Sequence, residues 1–169
     1  GRPQVWVRSV IGGRATQLTF VDGMDVGWTR WSPNGDRIYF NYDGGIWSVP
    51  VIGGSPRRVV ALGKNPSLSA KGAALVYEGL GMPNGDLGIW LTRADGANPT
   101  RVLNRPYAIA AAPSVSPDGR AIVFFRSSGG PLGDLWIVPA AGSPPRRLTF
   151  DDVEADSPTW TPDGKSVIF

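Results

Sequence analysis

The residues able to do chemistry in this 169-residue chain are few, and their types set narrow limits. The chain holds no histidine and no cysteine. That removes Ser-His-Asp triads, imidazole acid–base catalysis, thiolate nucleophiles and His- or Cys-ligated metals from within it. Glu78 and Glu154 are its only glutamates, and most of its aspartates stand beside Pro or Gly in turn-like contexts. A glycosidase would need two or three inward carboxylates at fixed separations. No G-x-S-x-G elbow occurs, so no serine has the strained strand-to-helix setting of a hydrolase nucleophile. The sequence predicts no catalytic residue, no metal and no cofactor in this segment.

What remains are groups that could bind rather than react. The acidic run Asp151-Asp152-Val153-Glu154-Ala155-Asp156 offers clustered carboxylates, but its spacing fits no calcium loop, and a solvated loop is the simpler reading. The pairs Arg57-Arg58 and Arg146-Arg147 could meet phosphate or an acidic partner; protection of a sheet edge is the plainer account. Gly79-Leu80-Gly81-Met82-Pro83-Asn84-Gly85 superficially resembles a phosphate loop. Its glycine spacing is wrong, and a Trp-containing strand rather than a helix follows it, so it reads as a long hairpin loop. Loops of this kind carry recognition, and the residues singled out as possible partner contacts are Trp28, Arg105, Tyr107, Asp151 and Asp152.

Charge and hydropathy narrow the partners. A net charge of +3 spread along the chain lacks the clustered basic face with interleaved aromatics that marks a nucleic-acid binder. No run of 18 apolar residues occurs, so no spanning helix is expected. A protein or peptide is the expected partner, with neither nucleic acid nor membrane insertion.

The elements that must position these residues are written in a repeat. A Trp in an apolar run recurs as Gln4-Val5-Trp6-Val7, Gly45-Ile46-Trp47-Ser48-Val49, Gly88-Ile89-Trp90-Leu91 and Asp134-Leu135-Trp136-Ile137-Val138, at spacings of 41, 43 and 46 residues. A second phrase recurs as Trp31-Ser32-Pro33-Asn34-Gly35, Leu68-Ser69-Ala70-Lys71-Gly72, Val115-Ser116-Pro117-Asp118-Gly119 and Trp160-Thr161-Pro162-Asp163-Gly164. Its chemistry suits a tight hairpin: a hydroxyl to bond the turn backbone, Pro to fix φ, Gly to take the left-handed conformation. The second copy lacks both Pro and Asp and should be the softest. After each turn comes a β-branched and aromatic strand such as Arg37-Ile38-Tyr39-Phe40 or Ala121-Ile122-Val123-Phe124. Each unit closes with a Gly turn and a segment bearing Pro or Arg that reads as a sheet edge.

Repeats of roughly 40 to 45 residues built from short strands signify propeller blades. The expected fold is therefore all-β, a propeller of four-stranded antiparallel blades with about four blade equivalents. Whole blades are expected near residues 26–60, 64–103 and 111–149, with half-blades at 1–20 and 157–169. Trp6, Trp47, Trp90 and Trp136 should fill the wedge between blades. Trp31 and Trp160 should be core as well, whereas Trp28 stands off the repeat phase and should reach a surface. Loops 21–26, 61–65, 104–111 and 151–156 should line one rim.

Residues 116–149 carry the whole phrase, from Ser116-Pro117-Asp118-Gly119 through Asp134-Leu135-Trp136-Ile137-Val138 to Gly142-Ser143-Pro144-Pro145-Arg146-Arg147-Leu148-Thr149. It resembles the blades of the TolB-like, WD-repeat-like bacterial propellers, and the resemblance covers nearly the whole chain. The likeness implies a segment of a six- to eight-bladed ring and a non-catalytic scaffold for protein or peptide recognition. It also implies a periplasmic or extracytoplasmic setting. Because such blades also serve as substrate-gating propellers of prolyl oligopeptidase-like peptidases and as C-terminal sensors on bacterial kinases or winged-helix regulators, those roles stay open.

Overall fold

A computed structural model describes residues 2–22, 26–81, 87–104, 109–127, 132–150 and 157–169. Among them there is no helix, and the strands form antiparallel sheets in chain order. A two-stranded sheet comes first, β1 (Trp6–Val7) with β2 (Thr16–Gln17). Three four-stranded sheets follow. The first is β3 (Gly27–Trp31), β4 (Arg37–Tyr42), β5 (Gly45–Pro50) and β6 (Arg57–Val60). The second is β7 (Gly63–Leu68), β8 (Ala74–Leu80), β9 (Leu87–Arg93) and β10 (Thr100–Asn104). The third is β11 (Ile109–Val115), β12 (Ala121–Ser127), β13 (Asp134–Pro139) and β14 (Arg146–Arg147). A second two-stranded sheet, β15 (Thr159–Trp160) with β16 (Val167–Ile168), ends the series. The architecture is an arc of propeller blades.

Why the second strand of each sheet is apolar throughout follows from its two faces. Successive side chains of a strand point to opposite sides. Ile38 and Phe40 pack back against Val5 and Leu18 of the first sheet, while Tyr39 between them packs forward against Leu75 and Tyr77 of the next. Val76 in turn faces forward to Ile122 and Phe124, and Val123 faces forward to Trp160 and Val167. A sheet buried on both faces reads as a continuous hydrophobic run. Phe40, Leu75, Val76, Ile122, Val123 and Phe124 are fully buried.

The hairpin turns share one geometry. The glycine N–H donates to the carbonyl of the residue three earlier in all four: Gly35 to Ser32, Gly72 to Ser69, Gly119 to Ser116 and Gly164 to Thr161, at 2.8–2.9 Å. Each Ser or Thr hydroxyl also accepts the N–H five residues on. Ser116 and Thr161 donate their hydroxyls to Asp118 and Asp163. Asn34 occupies that position in the first copy, and Asp36 accepts from Ser32 instead. Ser69 has Lys71 there, so its turn keeps the backbone bond without a carboxylate.

Two expectations need correction. Trp6 and Trp31 are exposed rather than core. Trp47, Trp90 and Trp136 each pack toward the sheet before their own; Trp6 belongs to the first sheet and has no such neighbour among the described residues. Trp31 points the same way, and among the described residues the first sheet presents no inner strand to meet it. The basic pairs also do more than guard an edge. Arg58 lies over the indole of Trp47, 5.8 Å from the ring centroid, and Arg101 lies over Trp90 at 6.0 Å. Arg147 forms an ion pair with the largely buried carboxylate of Asp134 and covers the ring of Phe150. Arg146, by contrast, is exposed and fits the expected role.

Candidate recognition channel

The innermost strands β3, β7, β11 and β15 face a common cavity of about 470 Å³. A backbone irregularity repeats within β3, β7 and β11 and just before β15. Trp28, Asn65, Ala112 and Ser157 occupy the same place, three residues before the strand's last, and all four take left-handed φ values of 44°, 53°, 48° and 50°. In β3, β7 and β11 the register against the neighbouring strand shifts at this point, so the residue sits in a bulge. Pro66, Pro113 and Pro158 follow the bulge residue in three copies, where a fixed φ returns the chain to the strand. The first copy has Thr29 instead.

Left-handed backbone suits Asn and is strained for a bulky side chain. Trp28 nonetheless adopts it and holds its indole 56% exposed at the cavity. Trp31 and Trp160 line the same space. Trp160 is fixed by an Nε1–H bond to the carbonyl oxygen of Ser114, 3.0 Å away in the previous sheet.

The polar lining is anchored from the second strands. Glu78 is almost fully buried, accepts from Asn65 Nδ2 at 3.2 Å and lies 3.6 Å from the Lys64 ammonium. Burial of this carboxylate is tolerable because it is bonded and paired. Arg30 has no carboxylate within ion-pair distance among the described residues; its guanidinium donates only to the adjacent Thr29 carbonyl, at 3.0 Å. The cavity therefore combines three indoles, one guanidinium without an acidic partner among the described residues, and a buried Glu78 carboxylate compensated by the partly exposed Lys64. Such a set can stack on, and donate hydrogen bonds to, a bound segment. No group of three or more His, Cys, Asp or Glu side chains that could hold a metal occurs among the described residues. They include no helix long and apolar enough to cross a membrane, a statement that leaves strand-built barrels aside.

Of the contact residues proposed from sequence, Trp28 is exposed and lies at the cavity. Arg105, Tyr107, Asp151 and Asp152 lie outside the described residues, as does most of loop 79–85. The expected rim loops 61–65 and 104–111 are partly strand, since β7 begins at Gly63 and β11 at Ile109. Sequence reasoning missed Arg30, Lys64, Asn65 and the channel role of Glu78. The one available signal was the proline that follows Asn65, Ala112 and Ser157 at the same place in three of the four copies.

Comparison with known proteins agrees with this geometry. The family model for the TolB beta propeller domain matches residues 1–162. The chain is 36% identical over 56 residues to a Bacillus subtilis (strain 168) protein named uncharacterized peptidase YuxL, over 33% of this chain and 8% of that protein. Among solved structures, TolB from Acinetobacter baumannii superposes with a TM-score of 0.78 at 19% identity, over 97% of this chain and 42% of that one. A putative TolB from Agrobacterium tumefaciens gives 0.72 at 20% identity, over 90% and 55%. The likeness to these structures is one of fold, and the chain spans about half of each and a small part of the curated relative.

Proposed function

We propose that this chain, which belongs to the TolB beta propeller domain family, is a recognition scaffold holding a segment of a partner protein or peptide in the channel between its innermost strands. Propeller domains of this type are generally non-catalytic, and the chain's inventory of side chains gives no reason to make this one an exception.

The observation that carries the reading is Trp28. A left-handed conformation costs an ordinary residue roughly 1–2 kcal/mol, and exposing an indole to solvent forgoes its burial as well. Strain of this sort persists where the surrounding structure enforces it, and it clusters at binding sites. Trp28 stands beside Arg30 and near Trp31 and Trp160, and Trp and Arg are the residues that dominate interface energetics. A space of about 470 Å³ admits one or two side chains of an extended segment.

Panning a random peptide library against the purified chain tests the reading. Enriched peptides that compete with one another and bind with 1:1 stoichiometry are expected, and the chain should leave them intact. Failure to enrich any sequence over a scrambled-surface control would contradict it.

A second reading, a propeller that gates access to a serine peptidase, draws on the likeness to a protein named as a peptidase. It would be favoured if the enriched peptides were also substrates of a peptidase domain encoded in the same polypeptide.

A further inference from the structure

The loops that join first to second strands and third to fourth strands lie at one end of every sheet, as antiparallel order requires. Backbone bonds tie them into one face. The Val51 N–H donates to the Asp36 carbonyl at 2.9 Å within a blade, and the Ala70 N–H to the Pro117 carbonyl at 3.1 Å between blades. Two loops on this face share one tetrad, Val10-Ile11-Gly12-Gly13 and Val51-Ile52-Gly53-Gly54. Their glycines take left-handed φ values from 92° to 131°, and an added Cβ at Gly12, Gly13 or Gly53 would meet nothing within 4 Å. The tips therefore stand clear of the fold. Ile52 is 98% exposed although sheets precede and follow its own, and Ile11 at the same place is 96% exposed. The next loop of the series has Asp95 there instead, and the Tyr39 hydroxyl ties it down by donating to the Ala94 carbonyl at 3.0 Å.

We propose that this face docks on an anionic lipid bilayer, with the two isoleucine tips entering the headgroup layer. Charge is the first argument. Residues 8–15, 32–36, 51–56 and 69–73, the first four loops of the face, contain one carboxylate, Asp36, which accepts the Ser32 hydroxyl at 2.8 Å. Arg8 and Arg14 flank Ile11, Arg57 follows the Ile52 loop, and Lys71 stands in the loop after that. All four are exposed, and none has a carboxylate within ion-pair distance among the described residues. Such cations draw a protein to the negative surface potential of a bilayer. Shape is the second argument. Protruding aliphatic side chains enter a fluid interface without a matching pocket, whereas protein hot spots favour Trp, Tyr and Arg in packed pockets. None of these four loops holds an aromatic residue to stack on a base, which sets nucleic acid aside. The lack of a long apolar run, which argued against membrane insertion, bears on spanning and not on two tips.

Flotation of the purified chain with phosphatidylcholine vesicles, with and without equimolar phosphatidylglycerol, tests the proposal. The chain should float with the anionic vesicles at low salt, stay behind with the zwitterionic ones, and be released as salt screens the charges. Ile11→Ser/Ile52→Ser should weaken binding about fivefold. Its melting temperature should not change, since both side chains are almost fully exposed. The chain has no native cysteine, so Ile52→Cys can carry an environment-sensitive dye, whose emission should shift to the blue on anionic vesicles alone. No flotation with anionic vesicles overturns the proposal. So does flotation that the double serine variant retains in full with no dye shift, which would make the contact one of charge only. Binding to heparin without binding to vesicles would also overturn it and point to an acidic macromolecule.

Discussion

The main-chain N–H of Asn65 donates to Oδ1 of Asn41, 3.1 Å away across the seam between two sheets. The same amide's Nδ2 donates to the carbonyl of Gly63 at 2.8 Å. One buried side chain thus satisfies both backbone groups at the start of the next blade's inner strand, and it sets the bulge that aims Asn65 into the channel. Asn41→Leu keeps the branching at Cγ, with a larger side chain, and removes these bonds together with the longer one to the Gly45 carbonyl. A buried unpaired group costs about 1–3 kcal/mol, so the variant should lose that much in chemical denaturation. A loss below the measurement error would show that the seam is held by packing alone.

Glycine requirements differ between two turns that share a left-handed φ. Gly119 has φ +77°, and an added Cβ would meet Ser69 at ordinary contact distances of 3.7 and 3.9 Å, so Gly119→Ala should cost only the conformational term, about 1 kcal/mol. At Gly96, φ is +90° and an added Cβ would lie 2.1 Å from the carbonyl oxygen of Val59 in the preceding blade. Gly96→Ala must push two sheets apart and should destabilise the chain several times more. Equal melting temperatures for the two variants would mean that the seam at Val59 is loose.

Titration should unsettle the fold at both ends of the pH scale. Burial pushes the Tyr77 hydroxyl up to about 12 from 10.0. A raised value means that the stabilisation is complete below the unfolded value and is lost as pH rises through the folded one. The melting temperature should fall between about pH 10 and 12, and Tyr77→Phe should flatten that fall. In acid the sign reverses. The Ser116 hydroxyl and the Arg120 N–H hold Asp118 below its ordinary value, and Thr161 and the Lys165 N–H do the same for Asp163. Their contribution is present above the ordinary carboxylate value and disappears as pH drops through the lowered one. Asp118→Asn should blunt the acid-side loss; an unaltered pH–stability curve in both variants would refute the assignment.

The two arginines of the last outer strand should behave differently. Arg147→Ser leaves the largely buried Asp134 carboxylate without its ion-pair partner, a change that costs about 3 kcal/mol or more where the charge is fully buried. Arg146→Ser touches an exposed side chain and should alter stability by under about 0.5 kcal/mol. Similar urea midpoints for the two would contradict the distinction.

Much of the frame was legible in the chain because its signals are local. The hydroxyl-Pro-Asp-Gly turns and the doubly apolar second strands repeat at fixed intervals, and each reports on its own neighbourhood. Where sequence reasoning failed, the deciding fact lay on another strand, in the preceding sheet or alongside in the same one. Trp6 and Trp31 carry the residue type of a wedge position, but burial at that position needs a preceding sheet. Arg147 reads as an edge charge until the fold brings Asp134 beneath it. The channel was hidden for a different reason: Trp28, Asn65, Ala112 and Ser157 share a backbone conformation and no side-chain chemistry. Only the proline after three of them aligns them by residue type, and the first copy lacks it.

Substituting Trp28 separates recognition from folding in a single protein. Asn65 shows that asparagine tolerates this left-handed position, so Trp28→Asn removes the indole and relieves the strain. The measurement is the dissociation constant of a peptide selected on the parent chain, taken with the melting temperature of the same preparations. Recognition at the channel predicts binding weakened at least tenfold, about 1.4 kcal/mol, in a variant that melts no lower than the parent. Unchanged affinity at an unchanged melting temperature would place recognition elsewhere on the propeller.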